Sequence, residues 1–382
     1  MSAFTFNTAP SIVAGPGAVA RLGEIAAARL GARIALVTDA GLVKAGLIAP
    51  ALDALAAAGI AVDVFDAVVA DPPEGVVLAA VARARAFEAD GVIGFGGGSS
   101  IDVAKLVALL ARGGQALADV YGVGLAKGPR LPFLAVPTTA GTGSEVTPIA
   151  IVTTGTHEKN GVVSPVIIPD IALLDPELTL GLPPHVTAAT GIDAMVHAIE
   201  AYTSVSPNNN PVSRALAREA LRLLGRNIER AVHHGGDREA REGMLLGSLL
   251  AGQAFANSPV AAVHALAYPI GGHFGVPHGL SNALVLPHVL RFNASACEAL
   301  YAELAPDAFP DLGGRASAAA FADALAALSA RVGLPPRLRD VGIPREAAPM
   351  MAEDAMRQTR LLVNNPRPLA YEDARAIYEA AW

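Results

Sequence analysis

The sequence predicts an α/β domain over residues 1–182 followed by an all-α domain over residues 183–382. Three observations carry this reading. Short apolar runs alternate with Ala-rich, amphipathic segments as far as about residue 180. A glycine-rich loop separates one such run from the next helical segment. Beyond Gly181-Leu182-Pro183-Pro184 the strand signal fades, and Ala, Leu and Arg recur at helical spacing. Apolar strands separated by helices read as a parallel sheet covered on both faces.

Taken in order, an Ala-rich helix precedes Gly31 and leads into the strand Ile34 to Thr38. A helix around 44–58, the strand Ala61 to Phe65, a helix from Pro73 to Ala89 and the strand Gly91 to Phe95 follow. Phe133 to Val136 is a further strand. The second half carries helices at about 186–203, 211–233, 238–256, 317–332 and 368–381.

The length of 382 residues allows two sizeable domains. Hydrophobic residues make up 52% of the chain and charged residues only 16%, against about 25% charged in an average soluble protein. Part of the surface is therefore expected to be covered by a second copy, as a homo-oligomer. The net charge of −7, with 28 Lys and Arg and no clustered basic stripe, argues against a nucleic-acid partner. No apolar stretch reaches the roughly 20 residues of a membrane span, so no membrane partner is expected. The single cysteine, Cys297, cannot form an intrachain disulfide, and the first ten residues lack the layout of a signal peptide. A cytoplasmic location is the expectation.

Gly94-Phe95-Gly96-Gly97-Gly98-Ser99-Ser100-Ile101-Asp102 lies between a strand and a helix. Glycines there let the backbone approach a pyrophosphate, and the helix start offers N–H donors. The loop departs from the G-x-G-x-x-G fingerprint, because Ser99 stands at the third glycine position. Asp39, at the end of the first of these strands, could accept from the ribose hydroxyls of a dinucleotide or simply cap the next helix. Pro137-Thr138-Thr139-Ala140-Gly141-Thr142-Gly143-Ser144-Glu145 brings hydroxyls and glycines directly after a strand, which suits cofactor phosphates and a nicotinamide.

In Gly191-Ile192-Asp193-Ala194-Met195-Val196-His197, the acid and the imidazole are four residues apart on one helical face. His264 and His278 are separated by fourteen residues, which fit a helix and a reversal. One carboxylate and three imidazoles suit Fe²⁺, Zn²⁺, Co²⁺ or Ni²⁺, and the ligands alone do not choose among them. Their net charge leaves a divalent ion with about +1 to polarise an oxygen.

With these motifs in view, the chain resembles the iron-dependent, group III alcohol dehydrogenases, with a dehydroquinate synthase-like fold. The likeness runs nearly end to end, from Ile12-Val13-Ala14-Gly15-Pro16-Gly17 through both loops to both histidine motifs. It implies an α/β dinucleotide-binding domain, a helical domain, and a catalytic metal held by Asp193, His197, His264 and His278. It further implies that Asp39 is the ribose-binding acid of NAD-preferring members. Gly96, Gly97, Gly98, Ser99 and Asp102 match the pyrophosphate motif; Thr138, Thr139, Thr142 and Ser144 lie in the second cofactor loop. Lys159 falls where members place a lysine near the adenosine ribose. One position departs: many members carry a proton-relaying histidine where this chain has Tyr268, with His273 a second candidate for that task.

The expected activity is hydride transfer between NAD and a primary alcohol or its aldehyde, with NADP disfavoured by the Asp39 carboxylate. Two alternatives stand beside it. Reduction of an oxo acid, or a hydroxyacid–oxoacid transhydrogenase, is weakened because no arginine anchor lies within the metal motifs. A non-catalytic metal or nucleotide sensor is weakened by the four intact ligands.

Overall fold

The computed structural model describes residues 3–155 and 158–382. The chain divides into two compact units. One comprises Asn7–Thr139 and Gly143–Leu180; the other comprises Gly181–Trp382 together with Met1–Phe6 and Ala140–Thr142.

The first unit is built on strands β1 (Ser11–Ala14), β2 (Arg33–Val37), β3 (Ala61–Phe65), β4 (Gly91–Gly96), β6 (Phe133–Pro137) and β9 (Ile171–Leu174). They form one sheet in the order β1-β9-β6-β4-β2-β3, and every pairing in it is parallel. Side chains alternate across it as strand geometry requires. Ile34 and Leu36 pack on one face with Leu22, Ala26 and Leu55. Ala35 and Val37 pack on the other with Val77, Val81 and Ile101. The covering helices are α1 (Leu22–Arg29), α2 (Ala40–Lys44), α3 (Ala49–Ala57), α4 (Glu74–Ala86) and α5 (Gly98–Arg112).

The strand order reverses between β2 and β4. The chain leaves β2 toward β3 at one edge, then crosses back so that β4 and β6 lie on the other side. A crevice at the carboxyl ends of strands flanking such a reversal is where open α/β sheets bind ligands. The register sets Val37 beside Gly94 and Gly96 beside Pro137, so the segments after β2, β4 and β6 emerge at the same end of the sheet.

Two departures from the sequence reading have local causes. The helix expected at 44–58 starts only at Ala49, as α3; a separate short helix, α2, ends at Lys44, and Gly46 between them takes φ +71°. A small second sheet, which the sequence reading does not contain, joins β5 (Gly122–Val123), β8 (Glu158–Val163) and β7 (Ile149–Thr154), with β7 and β8 antiparallel.

The second unit is helical: α6 (Pro184–Thr203), α7 (Pro211–His233), α8 (Arg238–Asn257), α9 (Ala262–Phe274), α10 (His278–Ala308), α11 (Ala318–Arg331), α12 (Ala348–Met356), α13 (Thr359–Leu362) and α14 (Tyr371–Ala381). Caps explain several starts. Asn210 accepts from the Ser213 N–H, Asp237 from Ala240 and Ser317 from Ala320. Helix α6 is buried almost all round from Gly191 to Thr203, which marks it as the core helix. The 31-residue α10 has no counterpart among the expected helices, because Pro287 and Pro306 within it read as breakers. No helix among the described residues is long and apolar enough to cross a membrane.

Asp175 shows how the sheet is closed. It is almost fully buried at the end of β9, and its carboxylate accepts from the backbone N–H groups of Gly17, Val19 and Glu177. Asp175→Ala leaves those donors without an acceptor and is expected to lower stability by roughly 2–4 kcal/mol. Asp175→Asn is expected to recover only part of this, since its amide turns one donor toward another. Chemical denaturation of both variants checks the order, which fails if Asn matches the parent.

Candidate active site

Three helices supply the residues that could hold a metal ion. Asp193 and His197 lie one turn apart on α6, His264 is the third residue of α9, and His278 is the first residue of α10. Their ligand atoms all lie within 4.8 Å of one another. Asp193 Oδ1 is 3.6 Å from His278 Nε2 and 4.0 Å from His264 Nε2. The ring centroids of His197 and His264 are 4.8 Å apart, and those of His264 and His278 are 5.3 Å apart. Asp193, His197 and His264 are buried, whereas His278 keeps 39% of its side chain exposed.

Local sequence explains the convergence. Gly275 caps α9 in the left-handed conformation, and Pro277 caps the start of α10, so the chain turns back within three residues. Gly279 then lets α10 meet α6. A Cβ there would lie 2.3 Å from the Ala189 carbonyl oxygen and 3.3 Å from the Asp193 Cβ.

The donor set fits a divalent transition ion. His197 Nδ1–H donates to the Gly141 carbonyl at 3.1 Å, and His264 Nδ1–H donates to the Glu200 carboxylate at 2.6 Å. Each bond fixes a tautomer that leaves the Nε2 lone pair for a metal, the arrangement common to histidine ligands. Burial pushes the His197 imidazole down to about 3, so it is neutral and ready to coordinate. Burial alone would raise the Asp193 carboxyl; the surrounding imidazoles and the Asn282 amide outweigh it and hold the group below its usual range.

Asn282, one turn after His278, donates to Asp193 Oδ1 at 2.6 Å, and its own Oδ1 is buried without a hydrogen-bond partner among the described residues. Glu200 and Asn282 were not singled out from sequence. The available signal was spacing: Glu200 is seven residues from Asp193 and Asn282 four from His278, each on the ligand face of its helix.

The two sequence candidates for proton transfer are placed differently. Tyr268 is half-buried, with its ring 6.0 Å from that of His278. His273 is not brought into the four-ligand cluster; its Nε2 pairs with Asp354 on α12.

In the sheet unit, Gly96 ends β4, Gly97 caps α5, and Gly98 and Ser99 form its first turn. The Thr138 N–H donates to the Gly96 carbonyl, which ties the two loops together. Asp39 caps α2, accepting from the Leu42 N–H at 3.1 Å. Thr138 is buried and Thr139 half-buried after β6; Thr142 is one of three loop residues that fold with the helical unit. Lys159 forms an ion pair with Asp71 at 2.6 Å and donates to Thr153 Oγ1.

Asp102 and Ser144 are committed to each other: the Ser144 hydroxyl and the Ile151 N–H both donate to the Asp102 carboxylate. Lys105, fully buried, donates to Ser144, Thr147 and the Ile149 carbonyl. Burial pushes this lysine down to about 8 and the neighbouring Glu145 up to about 7. The network holds the second loop to the helix that starts at the first.

Comparison with known proteins extends this geometry to a family. The chain is 45% identical over 365 residues to a long-chain-alcohol dehydrogenase of Geobacillus thermodenitrificans, covering 93% of this chain and 91% of that protein. It matches the crystal structure of a 1,3-propanediol oxidoreductase with a TM-score of 0.95 at 37% identity, over the whole of both chains. It matches a sulfoacetaldehyde reductase from Bifidobacterium kashiwanohense, solved in complex with NAD⁺, with a TM-score of 0.89 at 30% identity; 100% of this chain and 99% of that chain are covered. The family model for iron-containing alcohol dehydrogenases matches residues 9–176, and the model for the C-terminal part of the same family matches residues 187–382. The sheet unit and the helical unit are thus both accounted for, and the chain belongs to the iron-containing alcohol dehydrogenase family.

Proposed function

We propose that this protein interconverts a primary alcohol and its aldehyde, with NAD⁺ accepting hydride and a proton released to solvent. The observation that carries the reading is the cluster of one carboxylate and three imidazoles, with the tautomers of His197 and His264 set for coordination. Asp193, His197, His264 and His278 would hold the ion, Fe²⁺ foremost, with Zn²⁺, Co²⁺ or Ni²⁺ as substitutes. When bound, the ion supplies Lewis acidity that favours negative charge on the alcohol oxygen, and the nicotinamide supplies the hydride acceptor.

The remaining work falls to the chain. Residues 1–182 would bind the dinucleotide and residues 183–382 the metal. Gly96, Gly97, Gly98 and Ser99 would offer backbone donors to the pyrophosphate. Asp39 would accept from the ribose hydroxyls with the oxygen not used in capping α2. Thr138, Thr139, Thr142 and Lys159 would complete the nucleotide contacts, while Asp102 and Ser144 would shape the same loops from behind. Tyr268 would donate a hydrogen bond near the substrate, with His273, oriented by Asp354, as an outer proton carrier. A cytoplasmic homo-oligomer completes the reading, the low charged content being its support. NADH formation across a panel of primary alcohols, with anaerobically Fe²⁺-loaded protein, tests the activity; silence across the panel would sink it.

Chelating the ion is expected to lower turnover by roughly a thousandfold or more, since several kcal/mol of charge stabilisation goes with it. Fluorescence of bound NADH is expected to persist, because the proposed dinucleotide contacts lie elsewhere. Full activity in metal-free protein would refute the mechanism. Asp39→Ser is expected to narrow the preference for NAD over NADP by about tenfold, equivalent to ~1.4 kcal/mol of relieved repulsion. The comparison of kcat/KM for the two cofactors decides it, and parental enzyme that favours NADP would remove Asp39 from this role. For Tyr268, a proton role predicts that Phe lowers kcat by about a hundredfold and that His moves the limiting pH toward the imidazole range. If Phe is silent and only substrate size preference changes, Tyr268 is a wall of the site.

A further inference from the structure

Glu200 lies on α6, three residues beyond His197, and is almost completely buried. Its two carboxylate oxygens accept from two different donors. Oε2 takes the His264 Nδ1–H at 2.6 Å, and Oε1 takes the backbone N–H of Val263 at 2.6 Å, at the start of α9. We propose that Glu200 is the positioning residue that fixes His264 in its Nδ1–H tautomer and thereby sets the affinity of the site for its divalent ion. This rests on the metal reading of the cluster given above.

The argument is one of donor and acceptor count. Two N–H donors on two separate oxygens call for a carboxylate, which only accepts. A glutamine of the same shape offers one oxygen and one NH₂. If its oxygen faces His264, its NH₂ faces the Val263 N–H, donor against donor. If its NH₂ faces His264, the ring must accept at Nδ1, which moves the proton to Nε2 and points it into the cluster. Either arrangement weakens the site.

Charge acts in the same direction. The four ligands carry a single formal negative charge, from Asp193, and the Glu200 carboxylate adds a second, hydrogen-bonded to the far nitrogen of the coordinating His264 ring. Partners of this kind raise the basicity of a coordinating imidazole, and their loss typically costs about 10–100-fold in metal affinity. Asn282 counters this by donating to Asp193. The site is thus strengthened through one ligand and moderated through another.

The test compares full-length parent and Glu200→Gln for Zn²⁺ affinity by competition with a chromophoric chelator, and for Co²⁺ by the absorption of the substituted site. Glu200→Gln is expected to bind Zn²⁺ about 10–100-fold more weakly and to shift the Co²⁺ spectrum. Glu200→Asp, which keeps the charge, is expected to recover part of the affinity. In case the glutamine variant does not fold, ¹⁵N-histidine spectra of the Zn²⁺-loaded parent give a second readout: His264 is expected to show a protonated Nδ1 and a metal-bound Nε2. Parental affinity in Glu200→Gln, or coordination of His264 through Nδ1, overturns this inference alone. A parent protein that takes up no divalent ion overturns the metal reading with it.

Discussion

Four ligand atoms from three helices meet within 4.8 Å inside an apolar helical unit, and this convergence organises the rest of that unit. An unpaired carboxylate or a misdirected imidazole in such surroundings costs several kcal/mol. Here each of the three buried ligands has a partner behind it: Gly141 for His197, Glu200 for His264 and Asn282 for Asp193. These partners hold the cluster in place through hydrogen bonds of the chain's own groups. The close approach permitted by Gly279 belongs to the same design, since it sets the N-terminal turn of α10 against the helix that carries Asp193 and His197.

The sheet unit is organised differently, by the parallel pairing of its strands. Parallel strands send every following segment out at the same end, and the strand order reverses between β2 and β4, where open α/β sheets bind their ligands. Asp39, Gly96 to Ser99 and Thr138 to Thr139 reach that end because β2, β4 and β6 are in register. The buried Lys105 network keeps the last of these loops from drifting, at the expense of placing a cation and two acids beneath it.

Much of this was legible in the sequence, for identifiable reasons. Short apolar runs and helical hydrophobic patterns are plain in the sequence, so β2, β3, β4, β6 and α6, α7, α8 and α11 lie close to where these patterns set them. The convergence of Asp193, His197, His264 and His278 was legible because a metal site calls for particular residue types at particular spacings. Glu200 was not, because a glutamate in a helix looks the same whether it faces solvent or a histidine 64 residues away. The same holds for the bond between Asp102 and Ser144, 42 residues apart, and for His273 and Asp354, 81 residues apart. Helix α10 was hidden by its own prolines, and the small sheet by strands as short as two residues.

The placement of His264 and His278 within the first turns of α9 and α10 has an electrostatic meaning of its own. The aligned peptide dipoles leave each helix start equivalent to roughly half a positive charge. Negative charge is favoured near such a helix start, and the Glu200 carboxylate takes up one of its donors, the Val263 N–H. The field that prepares this site for its chemistry is therefore partly written in the main chain. Replacing side chains one by one would leave that contribution untouched; only moving the helix starts themselves would alter it.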